Sequence, residues 1–165
     1  MLRDKIKVLP ELIRIRQQLK TKGRRVVFTN GVFDILHRGH VEYLEKARSL
    51  GDVLMVGLNS DESVKKIKGK DRPIMLQEDR AMVLAGLSSV DFICFFEEET
   101  PENLIRQLIP DILVKGSDYK IDDIVGREIV EANGGRVVTV DLVPGQSTTS
   151  VIEKMMKLAK RGNAL

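Results

Sequence analysis

Thr29-Asn-Gly-Val-Phe-Asp-Ile-Leu-His-Arg-Gly-His40 is the stretch on which the reading of this chain turns. Before it, Arg25-Val-Val-Phe28 is a short apolar run rich in β-branched residues, the pattern of a buried strand. After it, Val41, Leu44, Ala47 and Leu50 recur at helical spacing. The stretch is therefore a strand-to-helix turn. Gly31 suits a sharp turn that lets backbone approach a ligand closely. A helix opening near Gly39 aims free N–H groups and a positive dipole end back at that turn. His37 and His40 are the only two histidines of the chain, and at a spacing of three they share one face of a first helical turn. Either alone would be an ordinary surface histidine. Two such donors around Gly39, beside a helix N-terminus, suit a phosphate that gains charge in a transition state.

Working outward, the same alternation repeats. Residues 4–20 read as an amphipathic helix with Val8, Leu12, Ile15 and Leu19 on its apolar stripe, regular from Pro10, and with Arg14, Arg16 and Lys20 on a solvated face. Strands are expected at 25–28, 53–58, 91–96, 111–115 and 136–140, with helices between them at 41–50, 77–88, 101–109 and 122–133 and a last one after Ser150. Thr100 is expected to cap the helix that starts at Pro101, and Gly134-Gly135 to close the helix at 122–133. In the last helix Val151, Ile152, Met155 and Leu158 are expected to point inward. Strands alternating with helices make an α/β fold, here a single Rossmann-like domain: a five-stranded parallel sheet with helices on both faces. The expected division is an N-terminal helix at 1–23 and a catalytic core at 24–165.

Composition narrows the function. A chain of 165 residues is long enough for a full core, and 31% charged residues fits a soluble globular protein. The net charge of +3 is small, and no Lys/Arg block is interleaved with aromatics. With no Trp and two Tyr there is no base-stacking platform, so a nucleic-acid partner is not expected. No run is apolar enough for a membrane span or a secretory leader, and cytoplasmic location is the default. The single cysteine, Cys94, sits among Phe and Ile and reads as an inert core thiol.

Further candidates follow the strands. Asn59 ends the second strand, at the ligand-facing edge of an open α/β sheet. Ser63 to Pro73 carries Lys65, Lys66, Lys68, Lys70 and Arg72 and reads as a basic loop able to close over a triphosphate. Arg80 lies in a first helical turn, against the dipole preference for acids, which suggests a partner, either a phosphate or an acid in a surface ion pair. Glu97-Glu-Glu99 reads as a solvated turn. Gly116 and Asp118 follow the fourth strand as possible nucleotide contacts. Val143-Pro-Gly-Gln-Ser-Thr-Thr-Ser150 places four hydroxyls at a helix start. One serves as a cap, and the others, with free N–H groups, suit a second phosphate cradle.

Gly31-Val-Phe33-Asp34-Ile-Leu-His37-Arg-Gly39-His40 resembles the Gly-x-Phe-Asp-x-x-His-x-Gly-His motif of the small cytidylyltransferase-type nucleotidyltransferases. Within that family the similarity is to the heptose 1-phosphate adenylyltransferases, which make ADP-heptose for lipopolysaccharide. It is carried by the motif, Lys68-Gly-Lys-Asp-Arg-Pro73, Phe96-Glu-Glu-Glu-Thr-Pro101, Leu113-Val-Lys-Gly-Ser-Asp-Tyr119 and Gly145-Gln-Ser-Thr-Thr149. The resemblance implies transfer of AMP from ATP to a sugar 1-phosphate, with His37, His40 and Lys68 catalytic. It implies nucleotide contacts from Thr29, Asn30, Gly31, Phe33, Asp34, Gly39, Gly116, Asp118, Ser147, Thr148 and Thr149, and substrate contacts from Asn59, Arg72 and Arg80. Mg²⁺ would enter with ATP, and no protein metal cage is visible. A sugar kinase, fused in many relatives, would here be a separate chain; small transferases of this kind are often dimers. Cytidylyltransferases carry Arg-Thr-Glu-Gly-Ile-Ser-Thr before the last helix, whereas Leu142 stands here in place of the Arg. One triphosphate contact is thus left to Lys68 or Arg72. The rival readings are a related transferase for glycerol 3-phosphate, ethanolamine phosphate or FMN, and a non-catalytic nucleotide-binding regulator. A dinucleotide oxidoreductase is disfavoured, because no Gly-x-Gly-x-x-Gly follows the first strand.

Overall fold

The computed structural model describes residues 1–162, so the last three residues of the expected core lie outside it. A 3₁₀ turn at Leu2–Lys5 precedes α1 (Leu9–Thr21) and β1 (Val26–Gly31). Then come α2 (Arg38–Ser49), β2 (Val53–Asn59), α3 (Asp61–Lys68), α4 (Gln77–Ala85) and β3 (Phe92–Phe96). The chain continues through α5 (Glu102–Leu108), β4 (Ile112–Gly116), α6 (Arg127–Ala132), β5 (Arg136–Val140) and α7 (Thr148–Gly162). The five strands form one parallel sheet in the order β3-β2-β1-β4-β5.

Alternate strand residues feed two cores. Val27, Leu54 and Val56 pack with Leu44 of α2 and Leu84 of α4. Val26, Phe28 and Met55 pack with Leu12 of α1, Leu104 and Ile105 of α5 and Val130 of α6. The period of two along each strand thus covers both sheet faces with helices, the Rossmann-like arrangement expected. Cys94 is buried in the second core, and burial pushes its thiol up to about 11, as an inert core residue requires.

The switch in strand order between β1 and β4 positions the site. These two strands pair only at Val27 with Ile112 and Phe28 with Leu113. Beyond that point β1 stays with β2 as far as Gly31, and β4 stays with β5 as far as Gly116. The carboxyl ends therefore splay and open a crevice. Tyr43 bridges the gap: Thr29 Oγ1 lies 2.7 Å from its hydroxyl, which donates to the Val114 carbonyl at 3.2 Å.

Several local expectations are corrected. The basic loop at 63–73 is helical as far as Lys68, because the Ser60 hydroxyl accepts from the Ser63 amide and Ser63 and Val64 are buried. Arg16 is not solvated: its guanidinium donates to the Ile109 carbonyl and to Asp111 at 2.9 Å. Ile109 ends α5 in the left-handed region (φ 46°), and Arg16 holds the carbonyl that this turn leaves free. The helix expected from Pro101 starts at Glu102, with Pro101 at the cap and no capping by Thr100. The helix expected at 122–133 is a 3₁₀ turn, Ile121–Asp123, followed by the short α6. Val8, Met155 and Leu158 are exposed rather than inward.

Candidate functional site

The crevice is a cleft of about 670 Å³, a size suited to a small-molecule ligand. The ends of β1, β2 and β4 and the segments after β3 and β5 line it. His37 is the N-cap residue of α2 but caps nothing with its side chain, so no side chain closes off the first-turn amides. Its ring stacks on that of His40, with centroids 3.8 Å apart and planes at 24°. The edge of the pair meets Phe33, 5.1 Å from His40. Phe33 is buried and held at φ 46°, a strained conformation for a bulky residue, of the kind that clusters at functional sites.

Among the described residues, five buried side-chain nitrogen or oxygen atoms have no partner, and three are His37 Nδ1, His37 Nε2 and His40 Nδ1. Buried polar atoms are nearly always satisfied, so this concentration marks a place made for a ligand with acceptors. Gly39, between the two histidines in sequence, is buried. A Cβ there would stand 3.1 Å from the His37 ring and 3.1 Å from Gln146 Cβ, so the start of α2 approaches the segment before α7 closely at this glycine.

Burial, and then the charge of His37, pushes His40 down to about 4; burial also lowers His37. Both rings are neutral at pH 7. The sign for stability follows. Unfolded, His40 takes up a proton near pH 6.5, whereas folded it does so only near 4. Between those values the unfolded chain binds more protons, so acidification favours unfolding. We expect this contribution to be fully present above pH 6.5 and lost as the pH falls towards 4. Melting temperatures of the ligand-free protein and of His40→Asn across pH 4–8 check it: the wild type should lose more on acidification. Parallel curves would contradict the assignment.

Of the residues to which the family resemblance gives a catalytic, nucleotide or substrate role, the cleft gathers all except Thr29 and Arg80. Thr29 is fully buried and spends its hydroxyl on Tyr43. Arg80 is sealed under the site, donating to the carbonyls of Met75, Val32 and Asn59 and to Asp61. Others reach the cleft with their polar atoms already engaged. Asp34 accepts from the amides of Ile74 and Met75 and from Arg72 Nε at 2.8 Å, fastening the 72–75 segment across the turn. Arg72 is thus tied to a carboxylate. Asn59 donates to Ser63 Oγ, and Ser147 Oγ accepts from the Ser150 amide, which makes Ser147 the cap of α7. Thr148 and Thr149 are left at the mouth of that helix. Lys68, the last residue of α3, is exposed at the rim. Gly116 leaves room for Asp118, whose carboxylate a Cβ would strike.

Lys115 and Tyr119 also line the cleft and were missed from sequence. Their signal was available: a lysine inside the apolar run Ile112-Leu-Val-Lys115 at the ligand edge of the sheet.

Residues 28–163 match the family model described as cytidylyltransferase-like. The chain belongs to the cytidylyltransferase-like family. It is 55% identical over 153 residues to the bifunctional protein HldE of Geobacter sulfurreducens, covering 93% of this chain and 31% of that protein. The chain thus spans about a third of the length of the curated relatives it matches. The crystal structure of the lipopolysaccharide core biosynthesis protein from Thermoplasma volcanium is similar, at 32% identity and a TM-score of 0.60, over 73% of this chain and 98% of that one. Pantoate-beta-alanine ligase from Francisella tularensis shares the fold at 18% identity and a TM-score of 0.59, covering 82% of this chain and 66% of that one. No helix among the described residues is long and apolar enough to cross a membrane.

Proposed function

We propose that this cytidylyltransferase-like domain transfers the AMP moiety of ATP to a heptose 1-phosphate, giving ADP-heptose and pyrophosphate. The observation that carries the reading is the His37–His40 pair, with its unpartnered nitrogens at the start of α2 and beside the segment that opens α7. The HldE relatives and the lipopolysaccharide protein support the sugar assignment.

An oxygen of the acceptor phosphate attacks the α-phosphorus in line. The bond from that phosphorus to the bridging oxygen breaks, and pyrophosphate leaves with the electron pair. The nucleophile is already an anion, so no covalent enzyme intermediate and no general base are needed. Catalysis is positioning and charge stabilisation. His37 and His40 donate to phosphate oxygens as charge develops. The amides at the start of α7, with Thr148 and Thr149, cradle the β- and γ-phosphates. Lys68 closes over them from the rim. Among the described residues no cluster of three or more His, Cys, Asp or Glu is placed to hold a metal; Mg²⁺ enters as part of the MgATP substrate, on phosphate oxygens. A sugar kinase supplies the acceptor.

Pyrophosphate release measured with heptose 1-phosphate and each of ATP, CTP, GTP and UTP tests the reading. Release with ATP and no other nucleotide is expected. Release only with CTP, or only with another phosphate acceptor, would overturn the substrate assignment and keep the mechanism. Nucleotide binding without release under any pairing would overturn the enzymatic reading.

A further inference from the structure

The cleft holds a buried cation that this mechanism leaves unused. Lys115, in β4, is only 8% exposed. The other buried cations, Arg16 and Arg80, each meet a carboxylate, Asp111 and Asp61. Lys115 has no ion pair among the described residues. Its ammonium donates to Asn30 Oδ1 and lies 5.2 Å from the centre of the Tyr119 ring. An ammonium has three donors, and one is accounted for. Burial pushes it down to about 8, with the charge of Asp118 acting the other way. A buried charge of this kind is costly unless an anion meets it.

The cations around it are spent or distant. Arg72 is tied to Asp34, the two histidines are neutral, and Lys68 sits at the exposed rim. Position 142 offers only Leu142, packed where a Cβ on Gly116 would touch it at 3.0 Å. Contacts run without a break along the cleft floor: Lys115 to Asn30, then Gly31 against the Phe33 ring, then Phe33 against His40. The lysine and the histidine pair therefore flank one stretch of β1.

We propose that Lys115 contacts substrate, its ammonium binding an α-phosphate oxygen of ATP from the β4 side while His37 and His40 hold the phosphates from α2. The inference rests on the ATP reading above. It locates the cationic contact absent at position 142 in the strand, rather than in Lys68 or Arg72.

Calorimetry of ATP binding without acceptor tests it on Lys115→Met and Lys115→Arg, beside the wild type. We expect Lys115→Met to weaken ATP binding at pH 7 by about 10- to 100-fold, and Lys115→Arg to recover most of the loss, because charge-assisted hydrogen bonds to anions are the strong ones. Wild-type affinity should also fall from pH 8 to 10 as the ammonium is lost, and that fall should be absent in Lys115→Met. The groups facing Lys115 are Asp118 and Tyr119 after β4 and Asn30 on β1, with Tyr43 of α2 one strand residue away on the Val114 carbonyl. Burial keeps Tyr43 protonated throughout that window, and Tyr119→Phe removes the other phenol. Equal ATP affinity in Lys115→Met, or an effect confined to the acceptor's KM, would overturn the proposal. Should Lys115→Met lose its melting transition, the pH profile of Tyr119→Phe decides: a fall from pH 8 to 10 supports Lys115, and a flat profile overturns it. No ATP binding by the wild type would instead overturn the proposed function.

Discussion

Replacing His40 by asparagine is expected to lower kcat for pyrophosphate release by about 100- to 1,000-fold, the usual effect of removing one transition-state donor, with little loss of melting temperature. The ring is anchored by contact rather than by hydrogen bonds: it stacks on His37 and meets the edge of Phe33. Its Nδ1 is already buried without a partner, so the substitution takes no hydrogen bond from the folded protein. A loss in kcat without a loss in stability separates a donor that acts on the reacting phosphate from a packing residue. His37→Asn should fall in the same range. The double variant should cost less than the sum of the two, because stacked donors to one phosphate act as a unit. Steady-state release assays and thermal melts on the three variants decide it. A His40→Asn enzyme with kcat within about threefold of wild type would remove the ring from the chemistry.

What the sequence discloses here is periodicity and edge chemistry. β5 occupies the expected residues, 136–140, and all five strands lie within a few residues of their expected places, because each is an apolar run between turn signals. The cleft residues are legible for the same reason: parallel strands deliver their carboxyl ends to one edge, so motifs that follow β1, β2, β4 and β5 must converge. Side-chain partners distant in sequence are not legible. Arg16 and Asp111 are brought together only by the packing of α1 beside α5, whose C-terminal turn leads into Asp111. α3 is hidden because Lys65, Lys66 and Lys68 dominate its composition, while its helical signal lies in Ser60 as cap and Val64 as the buried contact. α7 fails in the opposite direction. Its apolar residues recur at helical spacing, yet Met155 and Leu158 are exposed, since spacing reports a helix and not what lies against it.

Arg80 shows how far such a partner network shapes the site, and its removal carries the largest expected effect on stability. Its side chain is completely buried and paired with Asp61 at 2.7 Å. Three further hydrogen bonds reach the carbonyl of Val32 in the motif loop, of Asn59 at the end of β2, and of Met75 in the segment that Asp34 fastens. One guanidinium fork therefore ties together the pieces that carry Phe33, Asn59 and Arg72. Arg80→Met keeps the bulk but strands a carboxylate and three carbonyls, so we expect a loss of about 3–5 kcal/mol, the usual result of breaking a buried pair from one side. For a domain of this size that corresponds to a fall in Tm of roughly 6–20 °C. Arg80→Lys should lie between, because a lysine keeps the charge and loses the planar fork that reaches several acceptors at once. The first helical turn is a poor place for a cation on dipole grounds, and the buried acceptors around Arg80 outweigh that preference. ATP affinity should drop in both variants in step with Tm, as the loops loosen together. Lost affinity at an unchanged Tm would instead mean that Arg80 reaches the ligand itself, and the network would no longer explain its burial.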